Sequence, residues 1–374
     1  MSILATHAAD LAALTDRGRA RRLIARAGTD LSSNDYLGLA ASPVLTQAVA
    51  DALARGVPVG SGGSRLLRGN HPEHEALEAE AAAFFGSERA LYLSSGYAAN
   101  VALFATLPQR GDLVVHDALI HASAHEGMRL GRAEVRAAAH NDVAAVADTI
   151  AAWRSVGGTG RVWIAVESLY SMDGDRAPLA DLAELADAQD AFLLIDEAHA
   201  TGVFGRDGRG LADGLDGRDN IVVLRTCGKA LGCEGALICA PAIVCDFLVN
   251  RARGFIFSTA PSPLMAAAAR AALRLLADEP ERRIRLAALV AEAGRLLEPF
   301  GATVTGSQIL PLVLGNDVRT MQVAGRLQAA GFDVRGIRPP TVPAGTARLR
   351  LSITANIDVD DLGALAAALP EALA

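Results

Sequence analysis

Lysine and arginine together number 35, yet Lys229 is the only lysine in the chain. A codon bias toward arginine removes lysine wherever a guanidinium will serve, in salt bridges, at phosphates or for solubility. A guanidinium cannot act as a primary amine of adjustable pKa that condenses with carbonyls. The surviving lysine is therefore a candidate Schiff-base residue. It stands in Arg225-Thr226-Cys227-Gly228-Lys229-Ala230-Leu231-Gly232, directly after the apolar run Ile221–Leu224. A second apolar run, Phe192–Ile195, ends in Asp196-Glu197-Ala198-His199-Ala200-Thr201-Gly202. A carboxylate at the tip of a buried strand needs a partner. A third run ends at Leu93 and opens Ser94-Ser95-Gly96-Tyr97-Ala98-Ala99-Asn100. Small residues there could bring free helix N–H groups and the helix dipole to a phosphate. An ordinary serine N-cap would have the same sequence. An anion site, a strand-end aspartate and a strand-end amine are the three groups that pyridoxal phosphate requires.

Competing chemistries fit less well. Lys229 is followed by Ala230 and not by Ser or Thr, so the loop is no P-loop. Gly60-Ser61-Gly62-Gly63-Ser64-Arg65 lacks the third Rossmann glycine and a preceding strand. His121 and His125 could share a helix face, with His116 and His140 nearby, but no carboxylate completes an H-E-x-x-H set, and no metal is expected. Cys227, Cys233, Cys239 and Cys245 recur every six residues, a spacing that matches no zinc pair. They read as small buried residues in a reducing cytoplasm. The net charge is −7 with no long basic block, which argues against a dedicated nucleic-acid binder. No apolar run reaches the ~18 residues of a membrane helix; the nearest, Ala236 to Val249, is broken by Pro241 and Asp246. No secretory signal is expected at the start of the chain. Its arginines (Arg17, Arg19, Arg21, Arg22) resemble a transit peptide, but Asp10, Asp16 and the spacing of Leu4, Leu11 and Leu14 predict an amphipathic helix.

These residues need a scaffold that brings strand ends together. At 374 residues the chain has the length of two domains. Strands are expected at Ala90–Leu93, Leu113–His116, Glu134–Arg136, Arg161–Glu167, Phe192–Asp196, Ile221–Thr226 and Ala236–Cys239. Helices are expected between most of them, at Glu73–Phe85, Ala98–Leu107, Asp142–Trp153 and Leu179–Gln189. Nearly uninterrupted apolar strands suit a sheet covered on both faces, and the alternation predicts an α/β fold with a mostly parallel central sheet. Ligands then sit beyond the carboxyl ends of the strands. After Pro261 come helices Pro263–Ala277 and Glu281–Leu297, then strand Ile309–Leu314, helix Arg319–Ala330, strand Arg348–Ile353 and helix Val359–Leu369. With the Asp278-Glu279-Pro280 turn as boundary, the expected organisation is an N-terminal segment (1–40), a large cofactor-binding domain (41–278) and a smaller α+β domain (279–374).

Over nearly its whole length the chain resembles the α-oxoamine synthase family of pyridoxal-phosphate enzymes. The resemblance rests on Asn34-Asp35-Tyr36-Leu37-Gly38, Gly60 to Arg65, Ser95-Gly96-Tyr97, His121-Ala122-Ser123, Glu167-Ser168, Ser171-Met172-Asp173-Gly174-Asp175, Asp196-Glu197-Ala198-His199, and Thr226 three before Lys229. It implies an aspartate-aminotransferase-like fold (type I), a homodimer with shared active sites, and decarboxylative condensation of an amino acid with an acyl thioester. Lys229 would hold pyridoxal phosphate and act as general base. Asp196 would face the pyridine nitrogen and His121 the ring. His199, with Ser171 as a second candidate, would meet the phenolic oxygen. Gly96, Tyr97 and Thr226 would grip the phosphate, and Thr259 would reach the phosphate of a partner subunit. The stretch Arg338-Pro339-Pro340-Thr341-Val342-Pro343-Ala344-Gly345-Thr346-Ala347-Arg348-Leu349-Arg350 points inside the family. It resembles the branch that joins L-alanine to a pimeloyl thioester, on coenzyme A or a carrier protein, in biotin synthesis. Asn34 and Arg350 would take the amino-acid carboxylate. Arg348, two residues away on the same strand face, could do so too or form a structural ion pair. Arg338 and Thr341 would meet the far carboxylate of the acyl chain. Rival readings are a glycine-using relative (5-aminolevulinate synthase or glycine C-acetyltransferase type), a pyridoxal-phosphate aminotransferase, and a non-catalytic subunit, which would have no reason to keep the only lysine.

Overall fold

The computed structural model describes residues 3–374. Its central sheet has seven strands: β1 (Arg89–Leu93), β2 (Leu113–Asp117), β3 (Glu134–Ala138), β4 (Val162–Glu167), β5 (Phe192–Asp196), β6 (Ile221–Thr226) and β7 (Ala236–Ala240). Their spatial order is β1-β7-β6-β5-β4-β2-β3. Neighbours β6-β5-β4-β2-β3 pair in parallel, while β7 runs antiparallel to both β1 and β6. Every residue of β2, β4, β6 and β7 is buried, as expected of strands covered on both faces. Helices Gly96–Thr106 and Ala242–Arg251 cover one face, where Leu103, Phe104 and Leu248 pack with Val114, Trp163, Leu194, Val222 and Ile238.

Each helix start has a local cause. Ser95, Asp142 and Asn316 accept backbone N–H groups of the first turn, and Asp358 and Asp361 form a reciprocal capping box. The apolar run Ala236–Val249 divides at Pro241, which starts helix Ala242–Arg251 because proline needs no N–H partner there.

Two compact units result. One comprises Leu37–Ser171 and Asp175–Ile284; the other comprises the chain up to Tyr36, Met172–Gly174 and Arg285–Ala374. The second unit contains an antiparallel sheet of β8 (Ile309–Gly315), β9 (Arg335–Ile337) and β10 (Ala347–Ser352), with β10 in the centre, and the helices Asp317–Ala329 and Val359–Leu373.

Three expectations need correction. The helix Ala5–Asp16 forms, but no residue in it is buried and Leu11 is 62% exposed, so its leucine spacing does not mark a packed face. Cys233 is only half-buried, whereas Cys227, Cys239 and Cys245 are buried. His121 does not lie on a helix face; it is the N-cap of Ala122–Leu130, with an extended backbone and a ring Nδ1 that accepts from Ser123 N. Among the described residues no helix is long and apolar enough to cross a membrane.

Candidate active site

Parallel strands in register bring their carboxyl ends to one level. Glu167 at the end of β4 pairs with Asp196 at the end of β5, and Asp196 with Leu224 two residues before Thr226 on β6. Above these ends lies a cavity lined by Gly96, Tyr97, Asn100, His121, Ser123, Glu167, Asp196, Ala198, His199, Thr226 and Lys229. Seven residues singled out from the sequence therefore meet in one place: Gly96, Tyr97, His121, Asp196, His199, Thr226 and Lys229.

Asp196 has an acceptor's surroundings. Its Oδ1 accepts Ala198 N at 2.9 Å and its Oδ2 accepts the Asn100 side-chain amide at 2.7 Å. Asn100 also bonds Ser123 Oγ at 2.9 Å, and Ser123 Oγ lies 2.7 Å from His121 Nδ1. This chain of hydrogen bonds fixes the His121 ring relative to Asp196. Burial, opposed by the Asp196 charge and aided by Lys229, holds the His121 pKa below its ordinary value. The imidazole is thus neutral near pH 7. Lys229 Nζ lies 2.5 Å from His199 Nε2, within hydrogen-bond distance.

At the start of helix Gly96–Thr106, the Ser95 side chain accepts only Ala98 N. The amides of Gly96 and Tyr97 have no acceptor among the described residues. Opposite stands Thr226, whose Oγ1 a Cβ on Gly96 would approach to 3.6 Å and which itself accepts Gly228 N at 3.2 Å. Two open amides, a hydroxyl and a helix N-terminus suit a phosphate. A buried anion beside an amine-bearing cavity suits a protonated pyridine and an aldehyde. On these observations the site fits pyridoxal phosphate.

Behind the cavity, Glu197 and Arg225 point to the other side of the strands. Arg225 is fully buried; it bonds both oxygens of Asp216 at 2.8 and 3.0 Å, lies 3.4 Å from Glu197 and sits over the Phe85 ring. Glu197 also accepts Leu211 N and Ala212 N, with burial raising its pKa to about 7 against the pull of Arg225. Gly210 has φ +101° and a Cβ there would strike Glu197 Oε2, so only glycine suits this turn.

The remaining predicted residues lie elsewhere. Ser171 is buried but does not line the cavity; it donates its backbone N–H to Glu167, which does, at 3.3 Å. It belongs to a hairpin whose base His140 pins: His140 lies 2.8 Å from Asp117 and 2.7 Å from Asp175. Burial lowers the His140 pKa, but the bonds and charges of those two carboxylates together raise it above its ordinary value. Thr259 lines a separate cleft with Arg65, Ser94 and Phe255.

In the other unit Arg350 donates to Ser352, Asn34 and Tyr36 at 2.7, 3.1 and 3.3 Å. Its neighbour Arg348 is tied instead to Asp173 at 2.5 Å and to Met172 O. Arg338 and Thr341 line a pocket with Arg19 and Arg21, and Arg338 also donates to Gly18 O. Burial and the neighbouring Arg21 depress the Arg338 pKa, the signature of crowded cations. Arg19 and Arg21 were visible only as part of an arginine-rich start. Asn100, Ser123 and Glu167 stood within motif stretches of the sequence but were assigned no role there, because their roles depend on side chains distant in the chain.

The chain matches the family described as aminotransferase class I and II over residues 26–369, and it belongs to that family. It is a pyridoxal-phosphate enzyme. Within that class it belongs with the proteins named 8-amino-7-oxononanoate synthase. It is 47% identical over 353 residues to the one from Anaeromyxobacter sp. (strain K), covering 92% of this chain and 87% of that relative. It is 43% identical over 392 residues to the one from Burkholderia thailandensis, covering 99% and 98%. Among solved structures, a serine palmitoyltransferase from S. paucimobilis with a bound PLP–myriocin aldimine matches with TM-score 0.90 at 27% identity, covering 100% of this chain and 98% of that one. The 8-amino-7-oxononanoate synthase from Francisella tularensis matches with TM-score 0.76 at 26% identity, covering 92% and 97%. Enzymes of this type use an amino acid and an acyl thioester.

Proposed function

We propose that this chain condenses L-alanine with a pimeloyl thioester, releasing CO2 and the thiol (coenzyme A or a carrier protein) and forming 8-amino-7-oxononanoate for biotin synthesis. The observation that carries this reading is the cavity that joins the only lysine to Asp196, His121 and His199, in a chain whose relatives bear that enzyme's name. When bound, pyridoxal phosphate supplies an aldehyde that takes up an amine and a protonated ring that withdraws electrons.

The residues divide the remaining work. Gly96, Tyr97 and Thr226 hold the phosphate. Asp196, whose oxygens accept from Asn100 and Ala198, would stabilise a proton on the ring nitrogen. His121 would face the ring as a neutral imidazole, and His199, with Ser171 as a second candidate, would serve the phenolic oxygen. Lys229 would hold the aldehyde and, once alanine has taken its place, would accept the alanine Cα proton, with His199 Nε2 as its proton partner. The new carbon–carbon bond forms at the thioester carbonyl as the thiolate leaves. The alanine carboxylate then departs as CO2, and a proton returns to Cα. Asn34 and Arg350 hold that carboxylate until it leaves. The pocket of Arg19, Arg21, Arg338 and Thr341 takes the distant carboxylate of the pimeloyl chain, since three crowded guanidinium groups favour an anion.

The working form in this reading is a cytoplasmic homodimer. Tyr97 beside the cavity is 52% exposed, and Leu67 and Phe257 are 80% and 72% exposed. Exposed large apolar groups of this kind suit a covering subunit, and Thr259 would serve the neighbouring phosphate. The test offers L-alanine, glycine or L-serine with pimeloyl-, acetyl-, succinyl- or palmitoyl-CoA and follows thiol release. Fast release only with L-alanine and pimeloyl-CoA supports the proposal. A preference for glycine, L-serine or an uncharged acyl chain rejects it.

A further inference from the structure

Glu167 is 2% exposed and lines the same cavity as Lys229, yet the chemistry above gives it no task. It sits directly beside Asp196 on the adjacent strand, in register, so both carboxyl groups project from the same level of the sheet. Their surroundings differ. Asp196 accepts a hydrogen bond on each oxygen, at 2.9 and 2.7 Å. Glu167 accepts one long bond from Ser171 N on Oε2, at 3.3 Å, and its Oε1 has no partner among the described residues. Two buried carboxylates on neighbouring strands cannot both ionise cheaply, and the one with fewer donors keeps the proton. We propose that Glu167 and Asp196 form a carboxyl pair holding one proton, with Glu167 the acid and Asp196 the anion. Glu167 is then a positioning residue: it offers a donor on Oε1 and presents the cavity with one negative charge where two would otherwise stand.

The other groups facing Glu167 agree in sign. Burial and the Asp196 and Asp117 charges push its pKa up, while Lys229 and the Ser171 amide pull it down by less, leaving it well above the ordinary carboxylate range. Tyr97, His121 and His199 complete the titratable lining. The inference rests on the cofactor reading only for the use made of the single charge.

The test is infrared difference spectroscopy on the holoenzyme near pH 7. Subtracting the Glu167→Gln spectrum should leave the carbonyl band of one protonated carboxyl group in the parent protein. A second variant guards against misfolding of the first. In Asp196→Asn the like charge is gone, so the parent's protonated-carboxyl band should titrate away at least about one pH unit lower. Absence of the band near pH 7, or an unmoved titration in Asp196→Asn, overturns the pair. Neither result depends on which thioester the enzyme uses, so the proposal can fail while the reaction assay succeeds.

Discussion

Replacing Arg338 with alanine should injure recognition of the acyl chain and leave the amino acid alone. A pimeloyl chain ends in a carboxylate several methylenes from the reacting carbonyl. A buried anion needs a cation or water, and the pocket of Arg19, Arg21, Arg338 and Thr341 supplies cations. A charge-assisted hydrogen bond contributes ~1.5–3 kcal/mol. Arg338 is only half-buried, and Arg19 is partly engaged by Asp317 at 2.9 Å while Arg21 remains in the pocket. Solvent screening and the remaining cation place the expected loss at the low end, ~1.5 kcal/mol, or roughly tenfold in kcat/KM. The assay compares pimeloyl-CoA with heptanoyl-CoA, which has the same chain length without the terminal charge, in the parent and in Arg338→Ala. The parent should prefer pimeloyl-CoA by about that factor or more, and the variant should lose the preference. Arg338 also donates to Gly18 O, so it could instead merely brace the N-terminal segment. An equal loss for both thioesters, or an equal loss of alanine affinity, would refute the carboxylate role.

Three further outcomes are expected. Borohydride should fix the cofactor to the peptide that contains Lys229, and Lys229→Arg should keep the charge yet lose turnover; label on any other peptide contradicts the assignment. Asp196→Asn keeps the shape of the side chain but removes its charge, so solvent deuterium exchange at the alanine Cα should slow strongly, and an unchanged rate would exclude Asp196 as partner of the ring nitrogen. Arg225→Met should destabilise the protein by ~3–5 kcal/mol because it strands Glu197 and Asp216 in the interior. Both acids have folded pKa values raised by burial, Glu197 to about 7, so their ionisation opposes folding as pH rises. Those raised values hold with Arg225 in place, and its loss raises them further. The deficit should therefore be small near pH 5, where both acids are protonated in parent and variant, and should grow as pH rises through and beyond about 7 by urea unfolding; a deficit independent of pH would show that the two carboxyl groups are not what Arg225 neutralises.

The amino-acid sequence by itself determined the layered α/β architecture, because hydrophobic runs of strand length between amphipathic stretches leave few other ways to bury themselves. It also singled out Lys229: in a chain that otherwise uses arginine, only chemistry that requires a primary amine accounts for a lysine. The strand-end positions of Asp196 and Thr226 followed from the same runs. What the tertiary structure decided was pairing. Arg348 and Arg350 are equivalent in sequence, two residues apart on one strand, and only the fold ties Arg348 to Asp173 while Arg350 meets Asn34 and Tyr36. His121 looked like a helix-face residue, but the backbone turns there and makes it a cap. Asn100, Ser123 and Glu167 are ordinary residues in ordinary elements until β4 and β5 align and helix Gly96–Thr106 docks over them. Hydrogen bonds and charge coupling act over a few ångströms of space, and separations such as the 96 residues between Asn100 and Asp196 leave no periodic trace in the chain.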